Sequence, residues 1–99
     1  MINILLICSA GMSTSLMVEK MRIVAQEENI EANIWAVAEL EADNNIVKAD
    51  VVLIGPQIRF KLEQIRKQAN GRPVEAIDMR AYGMMDGKLV FEQARKMSS

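Results

Sequence analysis

Two short runs, Ile2-Asn3-Ile4-Leu5-Leu6-Ile7 and Asp50-Val51-Val52-Leu53-Ile54, do most to limit what this chain can become. Neither alternates apolar with polar residues as a strand with one wet face does, so both are expected to be buried on two sides. Strands of that kind belong to parallel sheets covered by helices on each face. At 99 residues the chain has room for one such domain and one core.

The segments between the runs fit that expectation. A helix is predicted from about Ser13, where Met17, Met21, Val24 and Ala25 recur at helical spacing and the charged residues lie mostly elsewhere. Ser13 or Thr14 is placed to cap it. Asn33-Ile34-Trp35-Ala36-Val37 reads as a second strand, and residues 39–48 as a short helix interrupted or ended near Asn44-Asn45. After the third strand, Pro56 suits a first helical turn, and Ile58, Leu62, Ile65 and Ala69 form one apolar stripe, with Glu63 and Lys67 able to pair. Asn70-Gly71-Arg72-Pro73 stops that helix before a fourth strand, Val74-Glu75-Ala76-Ile77. Residues 82–87 read as turn, and Val90, Ala94 and Met97 as the inner face of a last helix. Strands alternating with helices imply right-handed crossovers and a four-stranded parallel sheet in order 2-1-3-4, an α/β, flavodoxin-like three-layer sandwich. Its ligand-binding switch point lies between the loops after strands one and three.

Cys8 is the single cysteine, and it follows the first run directly. Position alone leaves two readings level: a small core residue, or a reactive thiol at the mouth of a loop. The loop Ser9-Ala10-Gly11-Met12-Ser13-Thr14-Ser15 shifts the balance. Gly11 lets the backbone bend toward a ligand, and Ser13, Thr14 and Ser15 are hydroxyl donors whose ordinary alternative role is capping. Backbone N–H groups there, with the positive end of a helix dipole behind them, seat an anion and favour the thiolate. These residues point to phosphoryl chemistry on sulfur.

Composition removes several other classes. The chain has no histidine, which excludes Ser-His-Asp and Cys-His catalysis, histidine metal sites and phosphohistidine chemistry on this chain. A net charge of -1 without a basic stripe gives no footprint for nucleic acid. No apolar stretch approaches the about 18 residues of a membrane span, and the opening residues lack signal-peptide character. With one cysteine, a reducing cytoplasm is the expected compartment.

The string from Cys8 through Ser15 closely resembles the phosphorylation loop of the enzyme IIB components of bacterial sugar phosphotransferase systems, in the lactose/cellobiose/chitobiose family. Ala49-Asp50-Val51-Val52-Leu53-Ile54-Gly55-Pro56-Gln57-Ile58 is similar to that family's third strand and loop. Pro73-Val74-Glu75-Ala76-Ile77-Asp78, then Tyr82-Gly83 and Asp86-Gly87, make a third match in register. The resemblance implies a single lactose/cellobiose-type IIB domain over residues 1–99 and a transferase that works through phosphocysteine. Cys8 would take a phosphoryl group from a phosphohistidine of a IIA protein. It would give that group to a sugar held by a membrane IIC transporter, cellobiose or another β-linked disaccharide, with lactose as competitor. The amides of Ser9, Ala10, Gly11, Met12, Ser13, Thr14 and Ser15 would hold the phosphoryl oxygens. The resemblance implies no cofactor and no metal. It implies a cytoplasmic monomer that meets the membrane only transiently, through IIC.

Gln57, from the loop after the third strand, and Asp78 and Tyr82, from the loop after the fourth, are candidates for the edge of this site. Met12 is expected to form an apolar rim for docking IIA and IIC. Arg59, Lys61, Arg66 and Lys67 read as a solvated helix face. The competing reading is a small cysteine-dependent phosphatase, a class that shares this fold. Its Cys-x5-Arg loop is broken here, because the sixth residue after Cys8 is Thr14, and the chain contains no Asp-Pro. Without the arginine clamp, a phosphocysteine should persist for a partner. A receiver domain would need acidic residues after strands one and three, where Cys8 and Gly55 stand. A thiol redox role lacks a second cysteine.

Overall fold

The computed structural model describes residues 1–9 and 12–98, with side chains for all of these except 12 and 13. The first apolar run forms β1 (Ile2–Cys8), and Ile4, Leu5, Leu6 and Ile7 are each 0% exposed. With β2 (Ala32–Ala38), β3 (Val51–Ile54) and β4 (Val74–Ala76) it makes one parallel sheet in the order β2-β1-β3-β4, as the sequence predicts. Alternation along β1 divides the core in two. Ile4 and Leu6 pack with Met17 and Met21 of α1 (Met12–Glu27) and with Val90, Phe91 and Ala94 of α5 (Gly87–Ser98). Leu5 and Ile7 pack on the opposite face with Ile46 of α2 (Ala42–Ile46) and Ile65 and Ala69 of α3 (Leu62–Ala69). Each such buried side chain contributes about 2 kcal/mol, which is why β1 must be central.

The helix ends explain where the chain turns. Asn29 adopts φ 56°, and Ile30 N and Asn29 N donate to Ala25 O (2.9 Å) and Gln26 O (3.2 Å), a Schellman stop that returns the chain to β2. Asn70, also left-handed, ends α3 where the sequence places the stop. Both edge strands are covered by an arginine. Arg22 donates from Nη2 and Nε to Ile34 O of β2 at 2.7 and 3.2 Å, and Arg66 Nε donates to Val74 O of β4 at 3.2 Å. Blocking edge carbonyls in this way discourages pairing with a second sheet.

Four local expectations are corrected. The stretch expected to be one helix through Ile58 opens as a 3-10 turn, Pro56–Lys61, kinked at Ile58 (φ -117°, ψ 21°), before α3 begins. The helix at 39–48 is a 3-10 turn, Glu39–Glu41, followed by α2, which runs through Asn44-Asn45. Asn45 is held there by Trp35 Nε1, which donates to its Oδ1 at 2.9 Å, while its own Nδ2 reaches Glu41 O at 2.8 Å. Glu63 pairs with Arg66, at 2.8 Å, and not with Lys67. Part of the expected turn at 82–87 is helix: α4 (Met79–Gly83) is held by its N-cap, Asp78. Met85 then takes φ 52°, with Asp86 N donating to Ala81 O at 2.9 Å.

Candidate functional site

Cys8 is the last residue of β1, paired in register with Ala38 of β2, and is 5% exposed. It therefore stands at the carboxyl end of a central, buried strand, where open α/β sheets place their ligands. α1 starts at Met12, so its positive N-terminal end lies just past the thiol in sequence. Ser9 and Ser15 are exposed. Ala10 and Gly11 lie outside the described residues, as do the side chains of Met12 and Ser13, and with them the expected apolar rim at Met12.

Thr14 departs from its expected role. Because α1 starts at Met12, Ser13 and Thr14 fall inside the first turn, past the capping position. The Thr14 side chain is fully buried, and its Oγ1 has no hydrogen-bond partner among the described residues. A buried hydroxyl left unsatisfied costs roughly 1–3 kcal/mol, so this atom is suited to an acceptor that arrives with a ligand.

The loop after β3 comes to the same place. Gly55 N donates to Ile7 O at 2.8 Å, which fastens it beside the residue that precedes Cys8. A Cβ added to Gly55 would lie 3.7 Å from Cys8 Cβ and 3.0 Å from Gln57 Oε1. The structure thus brings Cys8 and Gln57 around one bare glycine, at the switch point that the strand order predicts. Asp78 and Tyr82 follow β4, which β3 separates from β1. The Asp78 carboxylate accepts from Ala81 N at 2.9 Å as the cap of α4, and Tyr82 is packed in the core beneath α1 and α5.

The expected solvated cationic face is only partly so. Arg59 and Lys67 are exposed, but Lys61 forms an ion pair with Glu39 and lies 5.8 Å above the Phe60 ring. That pair ties the segment after β2 to the segment after β3. Beside it, Leu40 is 99% exposed and Phe60 77%, and Met79, after β4, is also exposed. Parallel strands put all three on the edge of the sheet that carries Cys8. The sequence did contain the signal for Phe60, an aromatic residue that falls off the Ile58–Leu62–Ile65–Ala69 stripe. Among the described residues there is no acidic, cysteine or histidine cluster able to hold a metal, and no helix long and apolar enough to cross a membrane.

Comparison with known proteins gives a consistent result. The family model described as the lactose/cellobiose-specific IIB subunit of the phosphotransferase system matches residues 3–93. The oligo-β-mannoside-specific EIIB component of Bacillus subtilis (strain 168) is 53% identical over 94 residues, covering 93% of this chain and 91% of the relative. The solution structure of the cellobiose-specific phosphotransferase IIB component from Borrelia burgdorferi superposes with TM-score 0.81 at 39% identity, covering 97% of this chain and 90% of that one. YwlE from Bacillus subtilis, in a mutant crystal structure, is similar in fold alone, with TM-score 0.66 and 15% identity over the whole of both chains.

Proposed function

The chain belongs to the lactose/cellobiose-specific IIB family of the phosphotransferase system, and from that premise we propose that Cys8 is its phosphoryl-carrying residue. In the accepting step the Cys8 thiolate attacks the phosphorus of a IIA phosphohistidine. The S–P bond forms as the N–P bond breaks, and the bonding pair stays on the imidazole nitrogen. In the donating step a sugar hydroxyl held by IIC attacks the same phosphorus. An O–P bond forms, the S–P pair returns to sulfur as thiolate, and the hydroxyl proton passes to a base on the transporter side. Both are in-line transfers governed by positioning and charge stabilisation.

The observation that carries this reading is the placement of Cys8 at the end of the central strand, four residues ahead of the first residue of α1. The loop amides from Ser9 through Ser15 would hold the phosphoryl oxygens, and the unused Thr14 hydroxyl supports an anion at that end of α1. Thr14 also stands where a phosphatase would carry its arginine clamp. A neutral hydroxyl there supports a phosphocysteine that waits for a partner over one that water removes. The exposed side chains of Leu40, Phe60 and Met79 suit the docking of IIA and IIC in turn on the edge of the sheet that carries the thiol. The carrier would act as a cytoplasmic monomer, reaching the membrane only through IIC. The relatives named above favour a β-linked oligosaccharide, a β-mannoside or cellobiose, as the sugar.

The test is a single turnover. The phosphorylated chain is isolated and divided between buffer and vesicles bearing a family IIC with cellobiose or a β-mannobiose. Sugar phosphate formed only with vesicles, while the adduct survives in buffer, is the expected result. Loss of the adduct to water in both samples, with turnover of an aryl phosphate, would replace the carrier reading with the phosphatase one.

A further inference from the structure

Gly55 poses a question that its own backbone does not answer. Its φ of -61° and ψ of 147° are open to any residue, so no left-handed conformation demands glycine there. What a side chain would meet is Gln57 Oε1 at 3.0 Å, closer than a methyl group and an amide oxygen normally approach, and then Cys8 Cβ at 3.7 Å. The missing side chain leaves a space flanked by the Gln57 amide oxygen and by the thiol-bearing residue. Gln57 is exposed and takes no part in the core, so packing does not account for that arrangement.

We infer that Gln57 donates a hydrogen bond from its side-chain amide to the phosphoryl group on Cys8, and that Gly55 is glycine to leave room for it. The inference rests on the carrier reading and adds a donor from the β3 side. α1 follows the other strand connection, the one after β1, so a phosphoryl group on Cys8 would be held from two sides. An amide suits a carrier. It donates to a phosphoryl oxygen without the charge of an arginine, and therefore steadies the group in both transfers without favouring attack by water. Its Oε1 rests against Gly55, leaving Nε2 as the end that serves the anion.

Gly55 makes the inference testable by a double-mutant cycle. Gly55→Ala adds a methyl group whose only tight contact among the described residues is the far end of a flexible side chain, so the fold tolerates it and the Gln57 amide must move. Acceptance from a phosphorylated IIA protein of this family is followed by rapid quench in wild type, Gly55→Ala, Gln57→Ala, the double variant and Gln57→Glu. Loss of one donor to the transferring group is expected to slow Gln57→Ala about tenfold, less than the roughly 100-fold or more of an enclosed oxyanion site, because Gln57 is exposed. Gly55→Ala should slow in the same sense. The double variant should be no slower than Gln57→Ala alone, since the added methyl acts through the amide. Gln57→Glu should be the slowest, because its carboxylate repels the phosphoryl dianion, and its phosphocysteine should show a shifted phosphorus resonance. A purely structural role would leave that resonance and the cycle additive. Gln57→Ala reacting at the wild-type rate, or a Gly55→Ala defect that persists in full without Gln57, would overturn the inference while the carrier reading stands. A wild-type chain that takes up no phosphoryl group would remove both.

Discussion

Replacing Gly87 by alanine puts a methyl group where the backbone of α5 meets that of α1. The added Cβ would lie 2.7 Å from Lys20 Cβ, 2.8 Å from Lys20 C and 3.0 Å from Lys20 O. Two of these atoms are backbone, so no side-chain rotation relieves the clash. An ordinary carbon–carbon contact is about 3.5–4.0 Å, so the helices must part by about 1 Å at this point. Beneath them lie Met17, Met21, Val90, Phe91 and Ala94, all fully buried, and that separation loosens their contacts together. Overpacking of this kind costs about 2–3 kcal/mol, which for a domain of this length lowers the melting temperature by roughly 10–20 °C. The control is Gly83→Ala, where no neighbouring atom among the described residues lies within 4 Å of the added Cβ and the residue sits at the end of α4. That substitution should leave stability unchanged or raise it by up to about 1 kcal/mol. Thermal melts followed by circular dichroism compare the pair. A Gly87→Ala protein that melts within a degree or two of wild type would refute the close-approach argument.

Three further outcomes follow from named contacts. Asp78→Ala removes the α4 cap and should cost about 1 kcal/mol in urea unfolding, while phosphoryl transfer keeps its wild-type rate; a large loss of rate at unchanged stability would place Asp78 at the edge of the site instead. Phe60→Ala should leave the melting temperature nearly unchanged but weaken the complex with IIA about tenfold in titration calorimetry, as truncation of an exposed aromatic anchor does. Equal affinity would take Phe60 out of the docking surface. Arg22→Ala uncovers the Ile34 carbonyl on edge strand β2, and sedimentation at rising concentration should then show more self-association than wild type does.

The sheet was legible in the sequence because its two middle strands carry no polar alternation. Nothing but a position buried on both faces suits Ile4-Leu5-Leu6-Ile7 or Val51-Val52-Leu53-Ile54, and the doubly wound order 2-1-3-4 puts both of them in the middle. The placement of Cys8 and of the Gly55–Gln57 loop was legible for the same reason. What escaped the sequence was local or distant. α4 is only five residues long and is held by one cap and one left-handed methionine, so Tyr82-Gly83 read as a turn. The ionic partner of Glu63 depends on Arg66 also reaching Val74 O, a contact that helical spacing does not contain. The reasons for glycine at 55 and 87 lie in Gln57 with Cys8 and in Lys20, and meetings across the fold of that sort leave no local pattern. Thr14 turned on a single position: a helix that starts at Met12 buries its hydroxyl, where a later start would have made it a cap.

The central claim is that sulfur of Cys8 receives the phosphoryl group, and intact-mass analysis tests it most directly. Wild type and Cys8→Ser are incubated with phosphoenolpyruvate, the general relay proteins and a family IIA, then weighed without acid treatment. One added phosphoryl group on wild type and none on Cys8→Ser is the expected result. An adduct on both proteins, or on neither, would contradict the account.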